Sequence, residues 1–132
     1  MVSSPPQPSF DEVATFLREL HAKMRMRPEP IAYKLVSGDE RRKNRTALSE
    51  LDIAAADRAK YILRLTAYDY YVGPDPDTFN YPPPGEGPIW VFGTIVKGLE
   101  VYIKLQIGAY GAPPVCLSFH VAERTMTYPF RS

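Results

Sequence analysis

Cysteine and histidine are scarce in this chain of 132 residues. Cys116 is the one cysteine, which excludes a disulfide framework and any multi-cysteine zinc site. His21 and His120 are the two histidines, too few for metal catalysis that depends on a histidine cluster. We therefore expect a metal-independent protein that needs no cofactor.

Long apolar runs are also missing from the sequence. No run approaches the roughly 20 residues that span a bilayer, and residues 1–6 lack the pattern of a secretory signal peptide. We expect a cytoplasmic protein without a membrane segment. A chain of this length can bury a core of its own, so residues 1–132 are predicted to form one domain.

Proline, in contrast, is abundant, with 14 residues, which is about twice its average frequency. Residues 1–8 are read as a loose N-terminus because three prolines interrupt them. Residues 71–88 are so rich in proline and glycine that we predict a loop. Long loops within compact domains are functional or disordered, and both an ordered lid and a disordered segment fit this one.

The net charge of +1 conceals a basic stretch, because residues 23–45 hold eight basic and three acidic side chains. Within it, residues 39–45 form a charge run that we interpret as a solvated loop. Its cations are suited to contacting the phosphates of RNA. The candidates for RNA binding are Arg41, Arg42, Lys43 and Arg45. The alternative is a solvated surface that binds nothing.

Two helices are predicted in the N-terminal half. Residues 9–12 have the Ser-x-x-Glu form of a capping box, and apolar residues then recur at helical spacing until Pro28. The second helix is predicted to begin between Ser49 and Asp52 and to end near Asp69.

After Pro88 the hydrophobic period becomes two, which is typical of strands. We predict strands over 89–96, 99–107 and 115–120, joined as an antiparallel meander, and an earlier short strand over 31–36. One face of the meander is apolar, so the helices are expected to pack on it. The predicted fold class is α+β, with two N-terminal helices packed on a small, curled antiparallel sheet.

Candidate chemistry lies on the polar face of this sheet. Strand alternation gives that face the side chains Tyr102, Lys104, Gln106, Ser118 and His120. Histidine moves protons near neutral pH, lysine stabilises a phosphate, and tyrosine donates a hydrogen bond or stacks on a base. Metal-free RNA cleavage requires such groups. The structural alternative is a solvated strand face that ends in a structural histidine.

Several short motifs resemble the MqsR family of bacterial toxins, which have a RelE-like ribonuclease fold. They include Val-Tyr-Ile-Lys at 101–104 and Ser-Phe-His at 118–120, preceded by Trp90, and the similarity in order extends over residues 45–120. The tail at 122–130 resembles the endings of uncharacterised MqsR-like proteins. The resemblance implies an endoribonuclease toxin of a type II toxin–antitoxin system, which cleaves mRNA and is neutralised by a cognate antitoxin.

The resemblance also implies roles for particular residues. Tyr102 matches the family's catalytic tyrosine, and His120 stands where the best-known form has a lysine. Val72 and Val91 replace the family's catalytic lysine and glutamine, so two of its four catalytic positions are lost. Lys104 is the candidate for stabilising the phosphate.

Three further residues are candidates for supporting roles. Glu123 is a candidate for orienting His120, Asp69 either caps a helix end or orients a catalytic group, and Trp90 is expected to pack at the sheet edge. The alternative function is a non-catalytic binding module that uses the same face for a protein partner or a small ligand. RNA binding without cleavage is a third reading.

Overall fold

The structure is a computed structural model that describes residues 7–34, 38–77 and 86–131. Within these ranges the helices are α1 (Phe10–Arg25), α2 (Gly38–Leu51) and α3 (Arg58–Leu63). The strands are β1 (Ala32–Tyr33), β2 (Tyr70–Asp75), β3 (Ile89–Val96), β4 (Leu99–Gln106) and β5 (Val115–Val121). The predicted α+β class is confirmed.

Helix α1 begins at the predicted capping box. Ser9 Oγ accepts a hydrogen bond from the Glu12 N–H at 3.1 Å, and the Glu12 carboxylate accepts one from the Ser9 N–H at 3.2 Å. The buried stripe of α1 consists of Val13, Phe16, Leu17, Leu20 and Met24. The Phe16 ring stacks on Trp90 of β3 with centroids 4.5 Å apart. Helix α1 thus covers one face of the sheet, which we call the inner face.

The five strands lie in the order β1-β5-β4-β3-β2. β3, β4 and β5 form the predicted antiparallel meander. The sheet is wider than predicted because β1 adds to β5 in parallel and β2 adds to β3 antiparallel. The prediction of a purely antiparallel sheet is therefore wrong. Strand β1 has two residues, which is too short to show a hydrophobic alternation, so the sequence does not indicate which strand it pairs with.

The sequence predicts a solvated loop at residues 39–45, but these residues belong to α2. Arginine, lysine and glutamate favour helices. Among the side chains of α2 that the structure describes, Ala47 and Leu51 are the buried ones, which gives little periodic signal. The long second helix predicted to end near Asp69 is also wrong. Asp52 takes a left-handed conformation with φ of 51°, which ends α2, and the chain continues as α3 between two 3₁₀ turns.

Asn44 ties α2 to the sheet. The pairing of β1 with β5 ends at Cys116. Beyond it, the Asn44 amide donates to the Leu117 carbonyl at 3.3 Å and accepts from the Phe119 N–H at 3.0 Å. One side chain thus takes the place of a strand partner and fixes α2 beside the end of β5.

The loop predicted at residues 71–88 begins as strand β2, which continues to Asp75. Pro74 is tolerated because β2 is an edge strand, where a missing N–H costs no ladder hydrogen bond. Residues 78–85, on which the choice between a lid and a disordered segment depends, lie outside the described residues. So does most of the predicted loose N-terminus.

Candidate functional site

The outer face of the sheet, opposite α1, carries the polar side chains of β4 and β5. Tyr102 lies beside His120 in the strand register, and Gly93 of β3 completes the row. Lys104 lies beside Ser118 in the next row. The three catalytic candidates Tyr102, Lys104 and His120 therefore share one face.

The rings of Tyr102 and His120 form the centre of this face. They stack with centroids 5.3 Å apart and with planes inclined by 19°. Tyr71 of β2 meets Tyr102 edge-on at 6.5 Å, and Lys104 Nζ lies 5.7 Å from the centroid of the Tyr102 ring. Tyr102 is therefore held by an imidazole, a phenol ring and a cation.

A backbone carbonyl selects the tautomer of His120. Nδ1 lies 3.1 Å from the Val121 oxygen, and because a carbonyl only accepts, Nδ1 carries the proton of the neutral ring. Nε2 is then the nitrogen able to accept a further proton. His120 is only 6% exposed and its Nε2 is buried, so the imidazole is covered rather than open to solvent.

Two adjoining grooves open over this pair. The Tyr102 groove, of about 300 Å³, is lined by Tyr71, Tyr102, Arg124 and Met126. The α2 groove, of about 330 Å³, is lined by Arg42, Thr46 and Glu50. Both grooves also contain Lys43, His120, Ala122 and Glu123. His120 therefore lies at the boundary between the two grooves.

An ion pair spans the same boundary, with Lys43 Nζ 2.5 Å from the Glu123 carboxylate. The hydrogen bond and charge of Lys43 lower the pKa of Glu123, and His120 adds a smaller effect in the same direction. Glu123 is therefore an anion at neutral pH. Its contact with Lys43 holds this negative charge near His120.

Of the four basic candidates on α2, two line the grooves and two do not. Arg42 and Lys43 line the grooves, and Arg42 also pairs with Asp39 at 2.6 Å. Arg41 and Arg45 are exposed and line neither groove. Two of the four candidates thus reach the site, because successive residues of a helix point in different directions.

Trp90 and Asp69 lie away from the site. Trp90 points to the inner face and packs on Phe16. The Asp69 carboxylate accepts a hydrogen bond from the Thr66 N–H at 2.8 Å and pairs with Arg131 at 2.7 Å. Asp69 therefore closes the capping box at the start of the 3₁₀ turn Ala67–Asp69 and does not cap the end of the predicted second helix.

Gln106 lies on the polar strand positions but at the far end of the sheet. It is buried, and its amide donates to Asp77 at 2.7 Å and to the Gly87 carbonyl at 2.8 Å. It therefore anchors the flanking segments. Ser118 is also buried, so neither side chain is presented to a ligand in the grooves.

The last segment of the chain also bounds the site, and sequence reasoning missed it. The Met126 N–H and the Tyr128 hydroxyl donate to the Glu100 carboxylate at 3.0 and 2.8 Å. The segment crosses the outer face over Gly93, where a Cβ would collide with both side chains. A glycine inside a strand pattern was the available signal of a close approach.

In comparisons with protein-family models, with curated proteins and with solved structures, nothing matches this chain. Within the described ranges, no cluster of three or more histidine, cysteine, aspartate or glutamate residues is arranged to hold a metal ion. No helix in the same ranges has both the length and the apolar character needed to cross a membrane. The geometry of the two grooves therefore carries the functional argument.

Proposed function

We propose that this chain is a metal-independent endoribonuclease that acts as the toxin of a type II toxin–antitoxin system. The observation that carries the proposal is the stacked Tyr102–His120 pair at the boundary of two grooves. The cations of these grooves are Arg42, Lys43 and Arg124. RNA suits such a surface, because its phosphates pair with cations and its bases stack on tyrosine.

His120 is the proton-transfer group of the proposed reaction. Nε2 takes the proton of a 2′-hydroxyl, whose oxygen attacks the adjacent phosphorus. Lys104, which lies in the row next to Tyr102 and His120 but lines neither groove, stabilises the charge of the phosphorane. The Tyr102 hydroxyl protonates the 5′-oxygen as its bond to phosphorus breaks. The products are a 2′,3′-cyclic phosphate and a 5′-hydroxyl end.

Access to Nε2 requires a movement of the groups that bury it. Nε2 is buried and the Tyr102 ring stacks on the imidazole, so in this proposal Tyr102 rotates as a 2′-hydroxyl approaches. A nucleobase that stacks on Tyr102 compensates for the lost contact with His120. In this proposal the substrate itself therefore opens the site.

The toxin role is supported by where two positions of the MqsR resemblance lie, namely those at which this chain lacks the family's catalytic residues. Val72 pairs with Val91, and Val91 pairs with Lys104. The two lost catalytic positions thus lie in the strand row beside Tyr102 and His120. The implied partners are mRNA and a cognate antitoxin, and the implied location is the cytoplasm.

A non-catalytic binding module is the second candidate function, and the burial of His120 favours it. A histidine that is 6% exposed under an aromatic ring serves packing as well as it serves proton transfer. In this alternative the grooves hold RNA, a protein partner or a small ligand, and no bond is cut.

Expression in bacteria without an antitoxin separates the two functions. The endoribonuclease predicts growth arrest with loss of mRNA, and relief by His120→Ala or Tyr102→Phe, since an acid–base group contributes about 10²–10⁴-fold to rate. His21→Gln, which changes the other histidine, should stay toxic. If both site variants stay fully toxic, the assigned residues are wrong. If the wild type leaves growth and mRNA unchanged, the endoribonuclease is contradicted.

A further inference from the structure

A third groove lies between α1 and the 3₁₀ turn Ala67–Asp69. We call it the Tyr68 groove. It has a volume of about 430 Å³, and its lining includes Phe10, Leu17, Arg18, Arg25, Leu65 and Tyr68. It shares no lining residue with the Tyr102 groove or the α2 groove. It is therefore a separate surface.

Two aromatic rings at this groove are exposed and in contact with each other. Phe10 is 38% and Tyr68 is 53% exposed, and their rings meet edge-to-face at 5.0 Å. Single exposed apolar residues are ordinary, whereas an exposed aromatic pair flanked by arginines has the composition of a protein–protein contact. Burying these rings favours association.

The groove is held in shape by contacts behind it. Arg131 donates to the Tyr68 carbonyl at 3.0 Å and pairs with Asp69 at 2.7 Å. On the other wall, His21 Nε2 lies 2.8 Å from the Ile62 carbonyl and joins α1 to α3. A surface that is already ordered loses little conformational entropy when a partner binds.

The charge of the groove selects the kind of partner. Its described lining contains Arg18 and Arg25 and no carboxylate. Burial lowers the pKa of His21, so the two arginines carry the positive charge at neutral pH. The acidic residues of α1, such as Asp11 and Glu19, line a different groove beside Trp90.

We propose that the Tyr68 groove is the docking site for an acidic amphipathic segment of a partner protein. Apolar side chains of that segment cover Phe10 and Tyr68, while its carboxylates pair with the arginines. A protein suits the aliphatic floor better than RNA does, because RNA binding relies on a longer track of cations. The proposal does not depend on cleavage, since the groove lies apart from His120.

The probe is a synthetic peptide with leucine at i, i+3, i+4 and i+7 and glutamate between these positions. The isotope-labelled full chain is titrated with it, and binding is followed by amide NMR shifts and calorimetry. We expect a micromolar Kd, because the groove is small, and shifts that centre on Leu17 and Leu65. Tyr68→Ala and Arg18→Glu should each weaken binding at least about tenfold. Arg41→Glu, the same charge change on α2, should change it less than about twofold.

Both site variants alter exposed side chains, and thermal unfolding checks that they fold; Arg25→Glu repeats the test if either does not. A second peptide with lysine in place of glutamate should not bind. The proposal is overturned if the acidic peptide fails to bind, if the lysine peptide binds equally well, or if Arg41→Glu weakens binding as much as Arg18→Glu. It is also overturned if a single-stranded RNA oligonucleotide, rather than the acidic peptide, shifts the amides of the Tyr68 groove.

Discussion

Individual hydrogen bonds give the candidate site its chemistry. The contact between His120 Nδ1 and the Val121 carbonyl makes Nε2 the basic nitrogen. A second side chain supports the same strand, because Asn44 bonds to backbone groups of Leu117 and Phe119. Asn44 therefore helps to fix the position of His120 relative to α2.

Replacing that amide tests its role. Asn44→Ala should lower the free energy of unfolding by about 1–3 kcal/mol, because two backbone groups at the edge of β5 lose their partner. Urea unfolding of the purified chain measures the change. Arg45→Ala, an exposed neighbour on α2, should stay within about 0.5 kcal/mol of the wild type. An equal loss in the two variants would contradict the bridging role of Asn44.

At the scale of elements, α2 brings charge to the sheet. Its residues Arg42 and Lys43 line the grooves, and the Lys43–Glu123 pair joins the helix to the segment after β5. The sequence of α2 is polar and weakly periodic, yet the helix is held at a fixed place beside β5. That combination suits an element that binds an anionic ligand rather than one that builds the core.

Removing three positive charges from α2 tests whether the helix binds an anionic ligand. The triple variant Arg41→Gln, Arg42→Gln, Lys43→Gln should weaken RNA binding almost independently of sequence. The slope of log K against log salt concentration should become shallower by about 0.7 for each lost contact between a cation and a phosphate. If Arg42 and Lys43 each contact one phosphate, the slope changes by about twice that amount. Affinity measured at two salt concentrations provides the slope, and Arg18→Gln with Arg25→Gln is the control. If the affinity of the wild type for RNA does not change with salt, the charged residues of α2 are solvated and do not contact RNA.

The elements differ in how far the sequence predicts them. Strong periodicity is sufficient to predict α1 and the meander. The shared face of Tyr102 and His120 then follows from strand alternation together with the pairing of β4 and β5. Strand β2 is hidden because Pro74 signals a loop, and only the edge position of β2 makes proline acceptable. Helix α2 is hidden because half of its residues are charged and its apolar residues are few. The covering of His120 by Tyr102 is a rotamer property, and no pattern in the sequence encodes it.

The molecule as a whole protects several weak acids from water. Burial raises the pKa of the Tyr33 phenol and of the Cys116 thiol, each to about 12. Burial also raises the pKa of Tyr70, and burial together with the hydrogen bond to Glu100 raises that of Tyr128. The folded chain therefore holds protons that the unfolded chain releases at lower pH.

Stability should consequently fall in alkali. Groups with a raised pKa contribute fully below their unfolded pKa, and the contribution is lost as pH rises toward the folded value, here about 12 for Tyr33 and Cys116. The urea midpoint should therefore decline steadily above about pH 9. Tyr33→Phe should make the decline shallower, whereas Tyr110→Phe, at a fully exposed tyrosine, should not. A midpoint that stays constant up to pH 11 would contradict the burial of these groups.

The proposed chemistry is tested most directly by the ends of the RNA that the purified chain produces. Single-stranded RNA is incubated with the wild type and with His120→Ala in the presence of a metal chelator, and the affinity for RNA is measured alongside. We expect cleavage to 2′,3′-cyclic phosphate and 5′-hydroxyl ends. In His120→Ala the rate should fall about 10²–10⁴-fold with little change in affinity, because proton transfer acts in the transition state. Cleavage by His120→Ala at the wild-type rate, or a wild type that binds RNA without cutting it, would rule out His120 as the proton-transfer group of an endoribonuclease.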